Sequence, residues 1–308
     1  MKKTEFYMPS TDGEDMLHVI EWKPEGKVRG ILQISHGMIE HIGRYDRFAR
    51  FMVKQGFLVI GNDHLGHGET AADENYGYFS PEDGSRYVVR DLHRVSIYIH
   101  KQYPEAPLIL LGHSMGSFMA RRYAMTYGKE LDGLIVMGTG RKPEWLLKLG
   151  LFLVRVISAI KGERAESRLL ERICFDAYNR HFKPIRTESD WLTRDEKIVD
   201  AYLKDRYCTF KFTLNGYRTL FEALSFIQKR KNIRRLPHQL PMLFVSGTED
   251  PVGDYGSGVK EVAESYHQAG VEHVTCKLYP GARHEVLNEL EYEKTQEDIL
   301  RWVEENII

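Results

Sequence analysis

Apolar residues follow two alternating patterns along this chain. Short apolar runs, of the length of buried strands, lie at residues 28–35, 57–60, 107–111, 240–247 and 274–279. Apolar residues at helical spacing follow some of these runs, at Phe48, Phe51 and Met52, at Phe118, Ala120 and Ala124, and at Ile299, Leu300, Trp302 and Val303. This repeated order of strand and helix predicts an α/β fold with a mainly parallel central sheet and helices on both faces.

The regular order is broken once, in the long stretch between the apolar run at 136–138 and the run at 240–247. A connection of this length inside a compact protein is normally functional. We therefore expect a core domain formed by residues 1–138 and 237–308, with residues 139–236 inserted as a helical cap.

Two segments of the expected cap carry helical patterns. Residues 145–160 are the longest apolar stretch of the chain, but they are only 16 residues long and contain Lys148 and Arg155. A stretch that short and charged does not suit a transmembrane helix, so we expect an apolar cap helix. Residues 186–204 carry the second pattern, with a helix start near 193–196.

Charge and cysteine content limit the classes of partner and compartment. The formal net charge of −1 gives no overall attraction to nucleic acid or to anionic membranes. The basic residues at 229–231 and 234–235 are expected to be exposed to solvent where the chain leaves the cap. The N-terminus lacks the apolar region of a signal peptide, and no C-x-x-C motif occurs. We expect a cytoplasmic protein with free thiols at Cys174, Cys208 and Cys276.

The sequence G-H-S-M-G at 112–116 is the first candidate for chemistry. It matches the G-x-S-x-G nucleophile elbow, in which a sharp turn between a strand and a helix presents the serine hydroxyl. The strand-like run at 107–111 and the helical pattern from 117 onward supply that context. We predict Ser114 as a nucleophile; the alternative is a glycine-rich turn with an idle serine.

A serine hydroxyl needs a base to accept its proton, and the base needs an acid that orients it. In this type of sheet the acid and the histidine follow the serine in that order along the chain. Asp250 and His284 lie just after the runs at 240–247 and 274–279, so we predict them as acid and base. Glu249 is the rival acid, and Asp250 is favoured because Pro251 suits a turn that holds one orientation.

A glycine-containing loop after the run at 28–35 is the candidate oxyanion hole. The backbone N–H groups of Met38 and Met115 are the predicted donors. We expect His36 to brace this loop and His113 to pack beside the elbow rather than act as a base. The Asp and His residues at 63–68 lack the spacing of known hydrolytic metal sites, so no metal and no cofactor is expected.

Five motifs in this order resemble the α/β-hydrolases, and within them the monoacylglycerol lipase and bacterial lysophospholipase-like branch: H-G-M-I-E-H-I-G-R-Y at 36–45, N-D-H-L-G-H-G at 62–68, G-H-S-M-G at 112–116, G-T-E-D-P-V at 247–252 and A-R-H-E at 282–285. The resemblance extends over about 28–138 and 240–305. It implies a serine carboxylester hydrolase with Ser114, Asp250 and His284 as its triad and Met38 and Met115 as its oxyanion donors.

The expected substrate is a small hydrophobic ester, with monoacylglycerols and lysophospholipids implied by the resemblance. No nucleic-acid partner is expected, a transient contact of the cap with membranes is left open, and the oligomeric state is not predicted. Two alternatives remain within enzymes, a short-chain esterase and a peptidase acting on small amides. A third, from another class, is a catalytically silent hydrolase that binds a ligand.

Overall fold

The computed structural model describes residues 1–308 and contains one eight-stranded sheet. Its strands are β1 Lys2–Pro9, β2 Met16–Lys23, β3 Gly30–Ser35, β4 Phe57–Asn62, β5 Leu108–His113, β6 Gly133–Met137, β7 Met242–Gly247 and β8 Val274–Tyr279. The strand order is β1-β2-β4-β3-β5-β6-β7-β8. The strands from β4 to β8 in this order pair in parallel, whereas β2 pairs antiparallel with both β1 and β4.

The five central strands, β3 to β7, are largely apolar because both of their faces are covered. Every residue of β3, β4, β5, β6 and β7 is buried. Neighbouring residues of one strand enter different hydrophobic clusters, as Ile31 and Leu32 of β3 do. This is the period of two that a strand imposes, and it produces one cluster on each face of the sheet.

Helices cover both faces. Those outside the β6–β7 connection are α1 Asp46–Lys54, α2 Gly84–Gln102, α3 Met115–Tyr127, α9 Ser257–His267 and α10 Tyr292–Asn306. Apolar residues of α1 and α10 belong to the smaller cluster, and those of α2, α3 and α9 belong to the larger one. The predicted α/β fold with a mainly parallel sheet is confirmed.

The connection between β6 and β7 is helical. It contains α4 Glu144–Lys161, α5 Arg168–Phe175, α6 Glu196–Lys204, α7 Leu214–Ile227 and the single turn α8 Arg230–Ile233. Buried side chains of α4, α5 and α7 belong to the same cluster as those of α2 and α3, so the connection packs directly on that face of the molecule. The division into a core domain and a cap of residues 139–236 stays a prediction. None of the helices combines the length and apolar content that crossing a membrane requires.

The apolar pattern over residues 186–204 is helical only in its last part. Helix α6 begins at Glu196, where the Asp195 side chain accepts a hydrogen bond from the Lys197 N–H at 3.0 Å. Trp191 and Leu192 precede the helix. They are apolar because they pack against the loop after β8: the Trp191 ring lies 4.9 Å from that of His284, between centroids, and the Leu192 carbonyl accepts from the Glu285 N–H at 2.7 Å.

Candidate active site

The predicted site residues lie at one edge of the sheet. Met38, Ser114, Asp250 and His284 each follow the C-terminal end of a parallel strand, respectively β3, β5, β7 and β8. The carboxyl ends of parallel strands in an open sheet meet at a common edge, where ligands bind. The structure therefore brings together four residues that are spread over most of the chain.

Ser114 occupies a sharp turn between β5 and α3. Its φ of 53° and ψ of −121° lie in a region that residues with side chains rarely adopt, and its N–H donates to the Met137 carbonyl at 2.9 Å. A Cβ atom at Gly116 would overlap the carbonyl groups of Ser35 and His36. The glycine is required because the start of α3 packs directly against the loop that follows β3.

Asp250 and His284 form a buried hydrogen-bonded pair. The His284 Nδ1 lies 2.9 Å from the Asp250 Oδ1, and both side chains are almost completely buried. Asp250 also accepts from the Ser246 hydroxyl at 2.8 Å and from the Val252 N–H at 2.9 Å. Burial alone would raise the pKa of Asp250, but the charge and hydrogen bond of His284 and these two donors lower it. The rival acid Glu249 is exposed.

The second ring nitrogen of His284 is not used in holding the ring. Nε2 is buried and has no hydrogen-bond partner in the protein. The ring sits close to the backbone of Gly138, where a Cβ atom would lie 3.0 Å from the His284 Cε1. Ser114 and His284 line the same cavity.

The loop after β3 approaches the serine closely. A Cβ atom at Gly37 would lie 3.1 Å from the Ser114 Cβ, and Met38 and Met115 both line the cavity. His36 fixes this loop to the segment after β4. Its Nδ1 donates to the Gly37 carbonyl at 2.8 Å, and its Nε2 accepts from the His64 N–H at 2.9 Å. Burial lowers the pKa of His36 well below its usual value, so the ring is neutral and can accept that bond.

The cavity itself is largely apolar and extends from the serine into the helical connection. It has a volume of about 260 Å³ and is lined by 31 residues, 21 of them hydrophobic. Helices α4 and α7 supply much of this lining, through Leu146, Leu147, Leu149, Gly150 and Leu153 and through Leu220, Phe221 and Leu224. A site of this kind suits a ligand with an apolar chain.

A second group of buried polar side chains adjoins the cavity, and the sequence did not reveal it. Arg44 donates to Glu40 at 2.8 Å and forms two parallel hydrogen bonds with Glu285, at 2.7 and 2.8 Å. His113 lies 3.1 Å from Glu40 through its Nδ1, and its ring centroid is 4.8 Å from that of His284. Three of the motifs contain these residues, but nothing in their spacing indicates that they meet.

Two clusters could be considered as metal sites. Asp63, in the segment 63–68, already accepts hydrogen bonds from the Ile42 and Glu69 N–H groups and binds the His18 ring at 2.9 Å. His41, Asp205 and Cys208 form the other cluster, but the His41 Nε2 is hydrogen-bonded to Asp205 at 2.9 Å. Burial raises the pKa of the Cys208 thiol, which disfavours the thiolate that a metal ion would need.

A family model described as "Serine aminopeptidase, S33" matches residues 26–291. The chain belongs to this family. Curated relatives of this S33 family member include the monoglyceride lipase of Rattus norvegicus, which is 28% identical over 286 residues, covering 92% of this chain and 84% of that protein. The monoacylglycerol lipase of Mycolicibacterium smegmatis is also 28% identical over 286 residues, covering 92% of this chain and 90% of that protein.

Solved structures agree with this assignment. A thermostable carboxyl esterase from Bacillus coagulans, in complex with glycerol, superposes with a TM-score of 0.93 at 30% identity and full coverage of both chains. A monoglyceride lipase from Saccharomyces cerevisiae, 16% identical with a TM-score of 0.77, shares the fold. The resemblance to the α/β-hydrolases and their monoacylglycerol lipase-like branch is confirmed, as is the prediction of a serine hydrolase.

Proposed function

We propose that this protein hydrolyses monoacylglycerols, with Ser114, His284 and Asp250 as its catalytic residues. The observation that carries the proposal is that Ser114, in its strained turn, and His284, held by Asp250, open onto one apolar cavity. An acyl chain can occupy the cavity while the ester carbonyl lies at the serine.

The reaction proceeds through an acyl-enzyme. The Ser114 Oγ attacks the ester carbonyl as the His284 Nε2 accepts its proton, and Asp250 stabilises the imidazolium through Nδ1. The N–H groups of Met38 and Met115 donate to the oxyanion. The protonated His284 then gives its proton to the departing glycerol oxygen, and a water molecule, activated by the same histidine, releases the fatty acid and frees Ser114.

Lysophospholipids are the second candidate substrates. Arg141 and Lys142 line the cavity, which is otherwise largely apolar. Arg141 is paired with Glu261 at 2.9 Å, so Lys142 is the cation that could bind a phosphate group. Small peptides fit less well, because an aminopeptidase needs free carboxylates for the substrate's amino group. The two acidic residues in the lining, Glu40 and Glu285, are already bound to Arg44.

A panel of substrates tests the proposal. We expect a fluorophosphonate probe to label the protein at Ser114, and Ser114→Ala to abolish labelling while the protein stays folded. Monoacylglycerol should be hydrolysed with a higher kcat/KM than lysophosphatidylcholine or an aminoacyl anilide. Absence of labelling would refute the serine hydrolase mechanism, and a preference for the anilide would refute the substrate class.

The proposal includes a role for residues 139–236 as a cap that touches membranes transiently. Several large apolar side chains of α4 are exposed and do not line the cavity: Trp145, Phe152, Val156 and Ile160. Sedimentation with phosphatidylcholine vesicles should remove part of the protein from solution, and Phe152→Ser with Ile160→Ser should reduce that part. Equal sedimentation of both proteins would refute the contact. The unpaired state of all three cysteines suits the cytoplasmic location that the proposal also includes.

A further inference from the structure

The buried polar group beside the cavity connects the segments that carry the proposed nucleophile, base and oxyanion loop. We call Glu40, Arg44, His113 and Glu285 the charge cluster. His113 directly precedes Ser114, and Glu285 directly follows His284. Glu40 accepts a hydrogen bond from the N–H of Gly37, the residue before Met38.

Glu40 is the member at which the connections meet. Its Oε1 accepts from the Gly37 N–H, from the Tyr45 hydroxyl at 2.9 Å and from the His113 Nδ1 at 3.1 Å. Its Oε2 accepts from Arg44 at 2.8 Å, and the same guanidinium nitrogen donates to Glu285 at 2.7 Å.

We propose that Glu40 is a positioning residue, whose carboxylate holds the oxyanion loop, the nucleophile elbow and, through Arg44, the loop of His284 in register. This role rests on the function proposed above, because it concerns the same Ser114, His284 and Met38. Glu40 acts through these groups and does not itself react.

The charges of the cluster balance only when His113 is protonated. Glu40 and Glu285 are carboxylates and Arg44 is a cation, so a neutral His113 would leave one buried negative charge without a partner, which is costly. Burial alone would lower the pKa of His113, but the hydrogen bond and charge of Glu40 raise it above its usual value. Burial would likewise raise the pKa of Glu40, but His113 and Arg44 hold it well below its usual range.

The chemistry at this position requires a carboxylate. Every partner of Glu40 is a hydrogen-bond donor, and donors approach both of its oxygens. A glutamine has nearly the same shape, but one of its terminal atoms is an NH₂ group, which is itself a donor. In one orientation the NH₂ group would face the Arg44 guanidinium, and in the other it would face the donors of Gly37, Tyr45 and His113. Either way, two hydrogen-bond donors point at each other. The Glu40→Gln variant therefore breaks one side of the connection with little change in volume.

The experiment compares Glu40→Gln with the wild type in ester hydrolysis and in fluorophosphonate labelling. We expect kcat and the labelling rate to fall about 100-fold, the order associated with loss of one oxyanion donor, while KM changes less than about threefold. A buried carboxylate elsewhere is the matched control. Asp91 is buried and accepts from the Thr11 N–H at 2.6 Å and the Ser10 hydroxyl at 2.8 Å. Asp91→Asn should lower the Tm and leave kcat within about twofold.

A milder variant decides the matter if Glu40→Gln does not fold. Tyr45→Phe removes one donor from the same oxygen and keeps all the charges, and it should lower kcat about three- to tenfold at unchanged KM. Wild-type kcat in a folded Glu40→Gln protein, or in Tyr45→Phe when the glutamine variant is unfolded, would overturn the positioning role alone. A wild-type protein that the probe does not label would instead refute the proposed function, so the two failures are distinguishable.

Discussion

At the residue scale, burial separates the two adjacent acids that compete to orient His284. Asp250 is fully buried and lies 2.9 Å from the His284 Nδ1, whereas Glu249 points to solvent. An asparagine at 250 can present its NH₂ group to Nδ1. Nδ1 then accepts a hydrogen bond instead of donating one, and the imidazole ring carries its proton on Nε2. That tautomer cannot accept the proton of Ser114.

The prediction is that Asp250→Asn lowers kcat by about 10³–10⁴. Glu249→Gln, one residue away, should stay within about twofold of the wild type, because its side chain is exposed. Steady-state hydrolysis of a p-nitrophenyl ester measures both variants. The opposite result, a crippled Glu249→Gln and a mild Asp250→Asn, would reassign the acid.

The sequence allowed these candidate residues to be proposed because each follows a recognisable strand in an order typical of the fold. The charge cluster could not be found in the same way. Arg44 and Glu285 are separated by 241 positions, and Arg–Glu pairs are common in any sequence. Their meeting depends on how the loops after β3 and β8 pack together, which no local pattern encodes.

At the scale of elements, α4 serves two environments. Leu153 lines the cavity, whereas the adjacent Phe152 is 60% exposed. Successive residues of a helix point about 100° apart, so neighbouring side chains can meet different surroundings. The apolar content of residues 145–160 predicted the helix but could not show which side chains face inward, because both sides are apolar.

We predict that Leu153→Trp shortens the cavity and shifts the preferred acyl chain toward shorter esters. Loss of room for one methylene is worth about 1–3 kcal/mol, or about 10- to 200-fold in kcat/KM between neighbouring chain lengths. Phe152→Ala is the control and should keep the wild-type profile, since that side chain is absent from the lining. Chain-length profiles of p-nitrophenyl esters measure both variants, and an unchanged profile in Leu153→Trp would show that α4 only packs.

Elements were predictable where the sequence itself shows a clear apolar run or alternation. The run at 107–111 corresponds to β5, which is apolar because it is buried throughout. The run at 274–279 corresponds to β8, whose sequence alternates between apolar and polar residues although most of the strand is exposed or half-buried. Strands β1 and β2 were missed, although β2 is mostly buried. The burial of β1 alternates between exposed and half-buried positions, so its sequence is largely polar and resembles a loop.

At the scale of the whole molecule, a buried neutral histidine makes stability depend on pH. The His67 ring packs among Phe79, Phe210 and Phe212, with centroids 5.2–5.5 Å away, and its Nε2 has no partner. Burial lowers the pKa of His67 from 6.5 to about 4. Below pH 6.5, His67 is therefore protonated in the unfolded chain but stays neutral in the folded protein. The free energy of unfolding falls progressively for this reason as the pH decreases toward 4.

Between pH 7 and pH 5 the cost from His67 amounts to about 2 kcal/mol. The His67→Gln variant should lose correspondingly less unfolding free energy over this interval than the wild type, even if it is less stable at pH 7. Urea unfolding at the two pH values measures the difference. The exposed His100→Gln is the control and should lose as much as the wild type; an equal loss in His67→Gln would contradict the mechanism.

The strand order also determines how the sheet ends. Its two edges are β1, with Lys2 and Lys3, and β8, where Lys277 is half-buried and paired with Asp298 at 2.5 Å. A free edge offers unpaired backbone groups to any other strand, and charged side chains along it discourage such addition. Charged side chains therefore protect each edge against strand addition by another molecule. If Lys277 is replaced by an apolar β-branched residue, the protein should aggregate at concentrations at which the wild type stays in solution.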